Sequence, residues 1–172
     1  IQLLQDICPT IAIESYTNAV QPDMVIATGG DQAARHFQHH YANIPTLIRG
    51  SRHSAAVLSG NESKEEIAAL HRDIFSYNGL GCRNISLIFL PTGSQPTLTP
   101  PSTNPMMQGS YTHNKALKRM LGVPFIDFGG YIAVENCSFS NDISQINYCY
   151  YNDLSQVQEW LSQHDSELQC VV

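Results

Sequence analysis

The residue whose type and setting best suit chemistry is Cys82. It follows Gly79-Leu80-Gly81 at the end of a strongly patterned helix and precedes the apolar run Ile85 to Leu90. A cysteine on a glycine-rich turn has little bulk around it. The N–H groups of such a turn are free to point at an oxygen on whatever the sulfur attacks. That is the setting of a nucleophile, and a cysteine that only fills core space is the competing reading. A second site of possible chemistry is Thr28-Gly29-Gly30, where a short apolar run, Met24 to Thr28, turns into a helix. A helix N-terminus after a glycine pair offers unpaired N–H groups to a phosphate or a nicotinamide ribose. The full G-x-G-x-x-G spacing is absent, so a tight strand-to-helix turn competes equally. His36, His39 and His40 share one face of that helix. With no carboxylate close by in sequence, a solvated helix edge is favoured there over a metal site.

These residues need elements to position them. Met24 to Thr28, a helix to about Tyr41 with Ala34, Phe37 and Tyr41 on its buried face, and Thr46 to Arg49 form a β-α-β unit. The first strand reads as parallel and covered on both faces. Ser54 to Leu58 is a further strand. Ser63 and Glu66 form a capping box that opens a helix with Ile67, Leu70, Ile74 and Phe75 on one face, and this helix delivers the chain to Cys82. Pro91 to Gly109, with five prolines, reads as a long loop. A helix follows from about Tyr111 to Leu121. Phe125 to Phe128 and Tyr131 to Val134 flank Gly129-Gly130 as a hairpin. Ile146 to Tyr151 is a strand, Ser155 to Gln158 resembles a second capping box, and Leu168 to Val172 is a last strand. The apolar segments within residues 1–20 fit neither template clearly.

Composition narrows the partners. A net charge of −6 argues against nucleic acid, because few cations are present to neutralise phosphates. Charged residues are 14 %, against roughly 25 % in an ordinary domain, which points to surface covered by a second domain or subunit. Cys8, Cys82, Cys137, Cys149 and Cys170 follow no metal spacing and read as reduced thiols of a cytoplasmic protein. No run reaches membrane-spanning length and no leader pattern is visible. The sequons at Asn61, Asn84 and Asn136 read as chance. Beginning at Ile1 and ending on an apolar run, the chain reads as a piece of a longer protein.

The stretch Asp73-Ile74-Phe75-Ser76-Tyr77-Asn78-Gly79-Leu80-Gly81-Cys82-Arg83-Asn84-Ile85-Ser86 resembles the acyl-CoA reductases related to the fatty acyl-CoA reductase of bacterial bioluminescence. These form a branch of the aldehyde dehydrogenase superfamily. Arg49 to Gly60 and Ile146 to Tyr151 are similar to the same branch. The resemblance implies an α/β fold of aldehyde dehydrogenase type: the end of a Rossmann-like cofactor domain over residues 1–58, then the catalytic domain over 59–172. It implies that Cys82 attacks a long-chain acyl-CoA and that NADPH reduces the resulting S-acyl cysteine to an aldehyde. Thr28, Gly29 and Gly30 would border the cofactor and the N–H of Cys82 would be one oxyanion donor. The second donor, an asparagine, and most of the cofactor domain would lie outside this chain, leaving these residues alone inactive. A homo-oligomer is implied by analogy. Hydrolytic members carry a glutamate in the segment matching Leu47 to Ser54, and here that segment holds no carboxylate. An enzyme passing its acyl group to or from a thiol needs no water base, so this favours a CoA-linked reaction. His53 is the nearest group to assist proton transfer at Cys82, with a polar strand-edge residue as the plainer reading. The proline-rich loop departs from the family, which has helical sequence there. Two other classes compete: a non-catalytic assembly module, and a cofactor-independent cysteine acyltransferase or hydrolase.

Overall fold

The structure, a computed structural model, describes residues 6–10, 12, 21–101 and 105–172. Most of the N-terminal apolar segments therefore lie outside the described residues. The chain divides into two compact units, Ile1–Gly50 and Ser51–Val172.

In the first unit, β1 (Val25–Thr28) and β2 (Thr46–Arg49) pair in parallel, joined by α1 (Asp31–His40). This is the expected β-α-β unit, and Ala34 is its buried helical residue. Among the described residues, where two strands and one helix bury one face, Ile26 is 69 % and Leu47 52 % exposed.

The second unit is built on a six-stranded sheet of order β5-β6-β7-β4-β3-β8. Its strands are β3 (His53–Val57), β4 (Ile85–Pro91), β5 (Ile126–Asp127), β6 (Ile132–Glu135), β7 (Gln145–Tyr151) and β8 (Leu168–Val171). All pairings are parallel except the β5–β6 hairpin. The helices are α2 (Lys64–Phe75), α3 (Pro105–Met120) and α4 (Leu154–Gln163). Alternation along the strands sends side chains to two cores. Ala56, Ile88, Leu90, Ala133 and Ile146 pack with Leu70 and Ile74 of α2. Ala55, Leu87, Phe89 and Cys149 pack with Val157 of α4. β4 is thus buried on both sides, as its unbroken apolar run requires.

Several expectations change. The compact units divide at Gly50/Ser51, and β3 hydrogen-bonds to β4 and β8. α3 begins at Pro105, not near Tyr111. A proline is pre-organised for the first helical turn, so what reads as a breaker is a start. Met107, inside the expected loop, is buried in the first core. α4 begins at Leu154, capped by Asp153, whose Oδ1 accepts the Ser155 N–H at 2.7 Å, so the Ser155–Gln158 box is not its cap. The Ser63–Glu66 capping box is present in both its bonds.

The cysteines are not all reduced. Cys137 and Cys149 form a disulfide, their Cα atoms 4.9 Å apart, because the β6–β7 connection brings Cys137 beside β7. Cys8, Cys82 and Cys170 are free. Closing a loop between cysteines 12 positions apart removes unfolded-state entropy equivalent to about 3 kcal/mol. A dithiol reductant is expected to lower the urea midpoint accordingly, and an unchanged midpoint would show that the link contributes nothing.

Asp127 of β5 anchors the hairpin to α3. Its carboxylate meets Lys115 Nζ at 2.5 Å and accepts hydrogen bonds from Tyr111 Oη at 2.7 Å and the Gly129 N–H at 3.0 Å. Burial raises its pKa, but the bonds from Lys115, Tyr111 and Gly129 overcome this and hold it at about 2, against an ordinary 3.8. A depressed folded pKa stabilises above the unfolded value, and that stability is lost as pH falls from about 4 to 2. Because the group is partly exposed, Asp127→Asn is expected to cost about 1 kcal/mol at pH 7 and almost nothing at pH 2. Urea midpoints at the two pH values check this, and equal losses at both would contradict it.

Candidate functional site

Cys82 lies between α2 and β4, and three features of the sequence shape its turn. α2 breaks at Ser76, and Tyr77 (φ 52°), Asn78 (φ 60°) and Gly79 (φ 72°) follow in left-handed conformation. Glycine and asparagine accept this readily, whereas a tyrosine there is strained, and its side chain is 86 % exposed. Gly81 serves differently. A Cβ there would lie 2.9 Å from Asn84 Oδ1, so the missing side chain admits the asparagine. Asn84, 7 % exposed, then ties the turn together. Its Oδ1 accepts the Gly81 N–H at 2.7 Å, and its Nδ2 donates to the carbonyls of Asp73 at 2.7 Å and Ile74 at 3.3 Å. Those are end carbonyls of α2, which have no partner further along the helix.

From below, Ser54 of β3, fully buried, donates from Oγ to the Cys82 carbonyl at 3.0 Å and lies 3.0 Å from Cys170 Sγ. The Cys82 side is open. Cys82 is exposed and borders a cleft of about 380 Å³ that is also lined by Asp73, Ser76, Tyr77, Gly81, Arg83 and Asn84. Among the described residues, no hydrogen bond engages the Cys82 N–H. An accessible sulfur beside an unengaged N–H donor can attack a carbonyl and hold the oxyanion that forms.

His53 opens β3 next to Ser54, and its ring stacks on Phe139 with centroids 4.9 Å apart. It is not among the residues lining the cleft. Arg52, from the segment without carboxylates, donates to the Leu168 carbonyl at 3.0 Å and so holds the start of β8.

In the first unit, Thr28 ends β1, the Gly29 N–H donates to the Arg49 carbonyl at 3.0 Å, and Gly30 caps α1 without any side-chain bond. Gly29 is a close-packing residue, since a Cβ there would meet Ala33 Cβ at 3.1 Å. An N-terminus without a side-chain cap leaves N–H donors for an outside acceptor. Asp31 already places a carboxylate in the first turn. The turn therefore suits a hydroxyl-bearing group such as a ribose better than a phosphate. His36 and His40 stack at 5.8 Å on α1. Among the described residues, no three metal-ligating side chains gather into a possible metal site, and no helix is long and apolar enough to cross a membrane.

Asn84 and Ser54 are the site residues that sequence reasoning passed over. For Asn84 a signal existed: an asparagine three residues after a glycine can close a turn with its side chain. Ser54 carried none, because the pairing of β3 beside β4 brings it under Cys82.

No protein-family model and no curated protein sequence matches the chain. Solved structures do. The chain is similar to a variant of proline utilization A from Bradyrhizobium japonicum at 12 % identity and a TM-score of 0.58, covering 82 % of this chain and 19 % of that one. It is similar to an NAD-dependent benzaldehyde dehydrogenase from Corynebacterium glutamicum at 15 % identity and a TM-score of 0.55, covering 87 % and 42 %. It is also similar to a variant of indole-3-acetaldehyde dehydrogenase from P. syringae, solved with NAD+, at 10 % identity and a TM-score of 0.56, covering 80 % and 37 %. The chain thus spans less than half the length of each. At these identities the likeness is one of fold, and the chain has the architecture of part of an aldehyde dehydrogenase.

Proposed function

We propose that Cys82 is the acyl-accepting nucleophile of an NADPH-dependent reductase that converts long-chain fatty acyl-CoA to the aldehyde. The observation that carries this reading is the exposed Cys82 thiol beside its own unengaged N–H, at the mouth of an open cleft. The Cys82 thiolate attacks the thioester carbonyl, the Cys82 N–H holds the developing oxyanion, and the bond to the coenzyme A sulfur breaks. His53 exchanges the proton released by Cys82 with the departing thiolate. When bound, the nicotinamide supplies the hydride that reduces the acyl carbon to the aldehyde level. Thr28, Gly29 and Gly30 would border it, with N–H donors at the start of α1 available to ribose hydroxyls. Cys82 then departs from the acyl carbon as thiolate. Leu47 to Ser54 hold no carboxylate to activate water, which protects the acyl group from hydrolysis. In this reading the unit Ser51–Val172 carries the catalysis, Ile1–Gly50 belongs to cofactor binding, and the chain acts as a homo-oligomer.

The test is to supply palmitoyl-CoA to the full-length protein with and without NADPH, trapping aldehyde as its hydrazone. Aldehyde that depends on NADPH supports the reductase. Palmitate formed at the same rate without NADPH would overturn it in favour of a cysteine hydrolase. No turnover and no acylation would leave a non-catalytic module.

A further inference from the structure

Four backbone groups around Cys82 converge on one residue. Asn84 donates its own N–H to the Gly81 carbonyl at 2.9 Å and accepts the Gly81 N–H on Oδ1 at 2.7 Å. Both polar groups of Gly81 are therefore held by Asn84. The first bond closes a four-residue turn with Cys82 and Arg83 at its centre. The amide Nδ2 fastens this turn to the end of α2 through the Asp73 and Ile74 carbonyls.

The geometry bears directly on the Cys82 N–H. The Gly81 carbonyl and the Cys82 N–H belong to one peptide group, which is planar and trans, so the two point in opposite directions. Turning the Gly81 carbonyl toward Asn84 forces the Cys82 N–H away from Asn84. The next peptide group is fixed in the same way, since Ser54 Oγ donates to the Cys82 carbonyl. Asn84 has no open position of its own, because its amide is spent on backbone and it is 7 % exposed.

We propose that Asn84 is a positioning residue that aims the Cys82 N–H at the oxyanion formed during acyl transfer. This rests on the reading of Cys82 as acyl acceptor. It assigns Asn84 no contact with substrate. Its effect is confined to steps in which negative charge develops on oxygen, where donor placement within about 1 Å governs the rate.

Two reactions at the same sulfur separate this role from a merely structural one. Alkylation by iodoacetamide needs an accessible thiolate but develops no oxyanion. Acylation by palmitoyl-CoA needs both. Intact-protein mass spectrometry follows each rate in the wild type, Asn84→Ala, Asn84→Asp and Gly81→Ala. Asn84→Asp keeps an acceptor for the Gly81 N–H and loses the amide donors. Gly81→Ala pushes a Cβ against Oδ1 and so disturbs the clamp from its other side. Circular dichroism and Tm establish which variants fold, and Gly81→Ala carries the test if Asn84→Ala does not. The expected result is an acylation rate about 10- to 100-fold lower in Asn84→Ala and Gly81→Ala. Alkylation stays within about 3-fold with an unchanged pH profile, and Asn84→Asp falls between. Equal slowing of both reactions, or no slowing of either in a folded variant, overturns the proposal while leaving Cys82 as acyl acceptor. A wild type that is alkylated but never acylated overturns the reductase reading and this proposal with it.

Discussion

Cys82→Ser is expected to reduce coenzyme A release from palmitoyl-CoA by at least about 10³-fold while leaving the fold intact. A hydroxyl at neutral pH is a far weaker nucleophile than a thiolate. The substitution is nearly isosteric and the side chain is exposed, so little packing is lost. Tm is expected to stay within about 2 °C, since surface changes away from packed features act weakly. The fall in coenzyme A release is the diagnostic part. Cys8 and Cys170 are both half-buried, and Cys170 Sγ already contacts Ser54 Oγ. Neither is expected to replace Cys82. Undiminished release from Cys82→Ser would place the nucleophile elsewhere.

Ile74→Ala is expected to have the opposite profile, with stability lost and chemistry at the sulfur retained. Ile74 is fully buried on α2 and packs into the core cluster that includes Ile88 and Ala133. Removing three carbons from such a site leaves a cavity as well as lost transfer energy, and the loss is expected to be about 3–4 kcal/mol. Tm should fall by about 10 °C. The Ile74 carbonyl, which Asn84 Nδ2 meets, belongs to the backbone and survives the substitution. In the folded variant, iodoacetamide should still alkylate Cys82 at close to the wild-type rate. A loss below about 1 kcal/mol would show that α2 is not packed as described.

The contrast between these variants shows where the sequence was readable. The capping box at Ser63, the apolar stripe of α2 and the continuous run of β4 all follow local rules, and Cys82 sits at their junction. The hairpin around Gly129 was legible for the same reason. Long-range pairing was not. β3 follows β2 closely in sequence, yet it joins β4 and β8, and nothing local records a partner more than a hundred residues away. Ser54 reaches Cys82 only through the β3–β4 pairing, and the Cys137–Cys149 link depends on how the β6–β7 connection folds back on β7, so both stayed hidden. Pro105 misled because proline both breaks and begins helices. At Tyr77, propensity would not place a left-handed residue, and the turn imposes one.

Acyl transfer to Cys82 is read directly from the mass of the intact chain after mixing with palmitoyl-CoA in the absence of NADPH, with peptide mapping of any adduct. One palmitoyl group per chain is expected, carried on Cys82 and absent from Cys82→Ser. A chain that keeps its unmodified mass while iodoacetamide still reaches Cys82, or an adduct mapped to another residue, would contradict it.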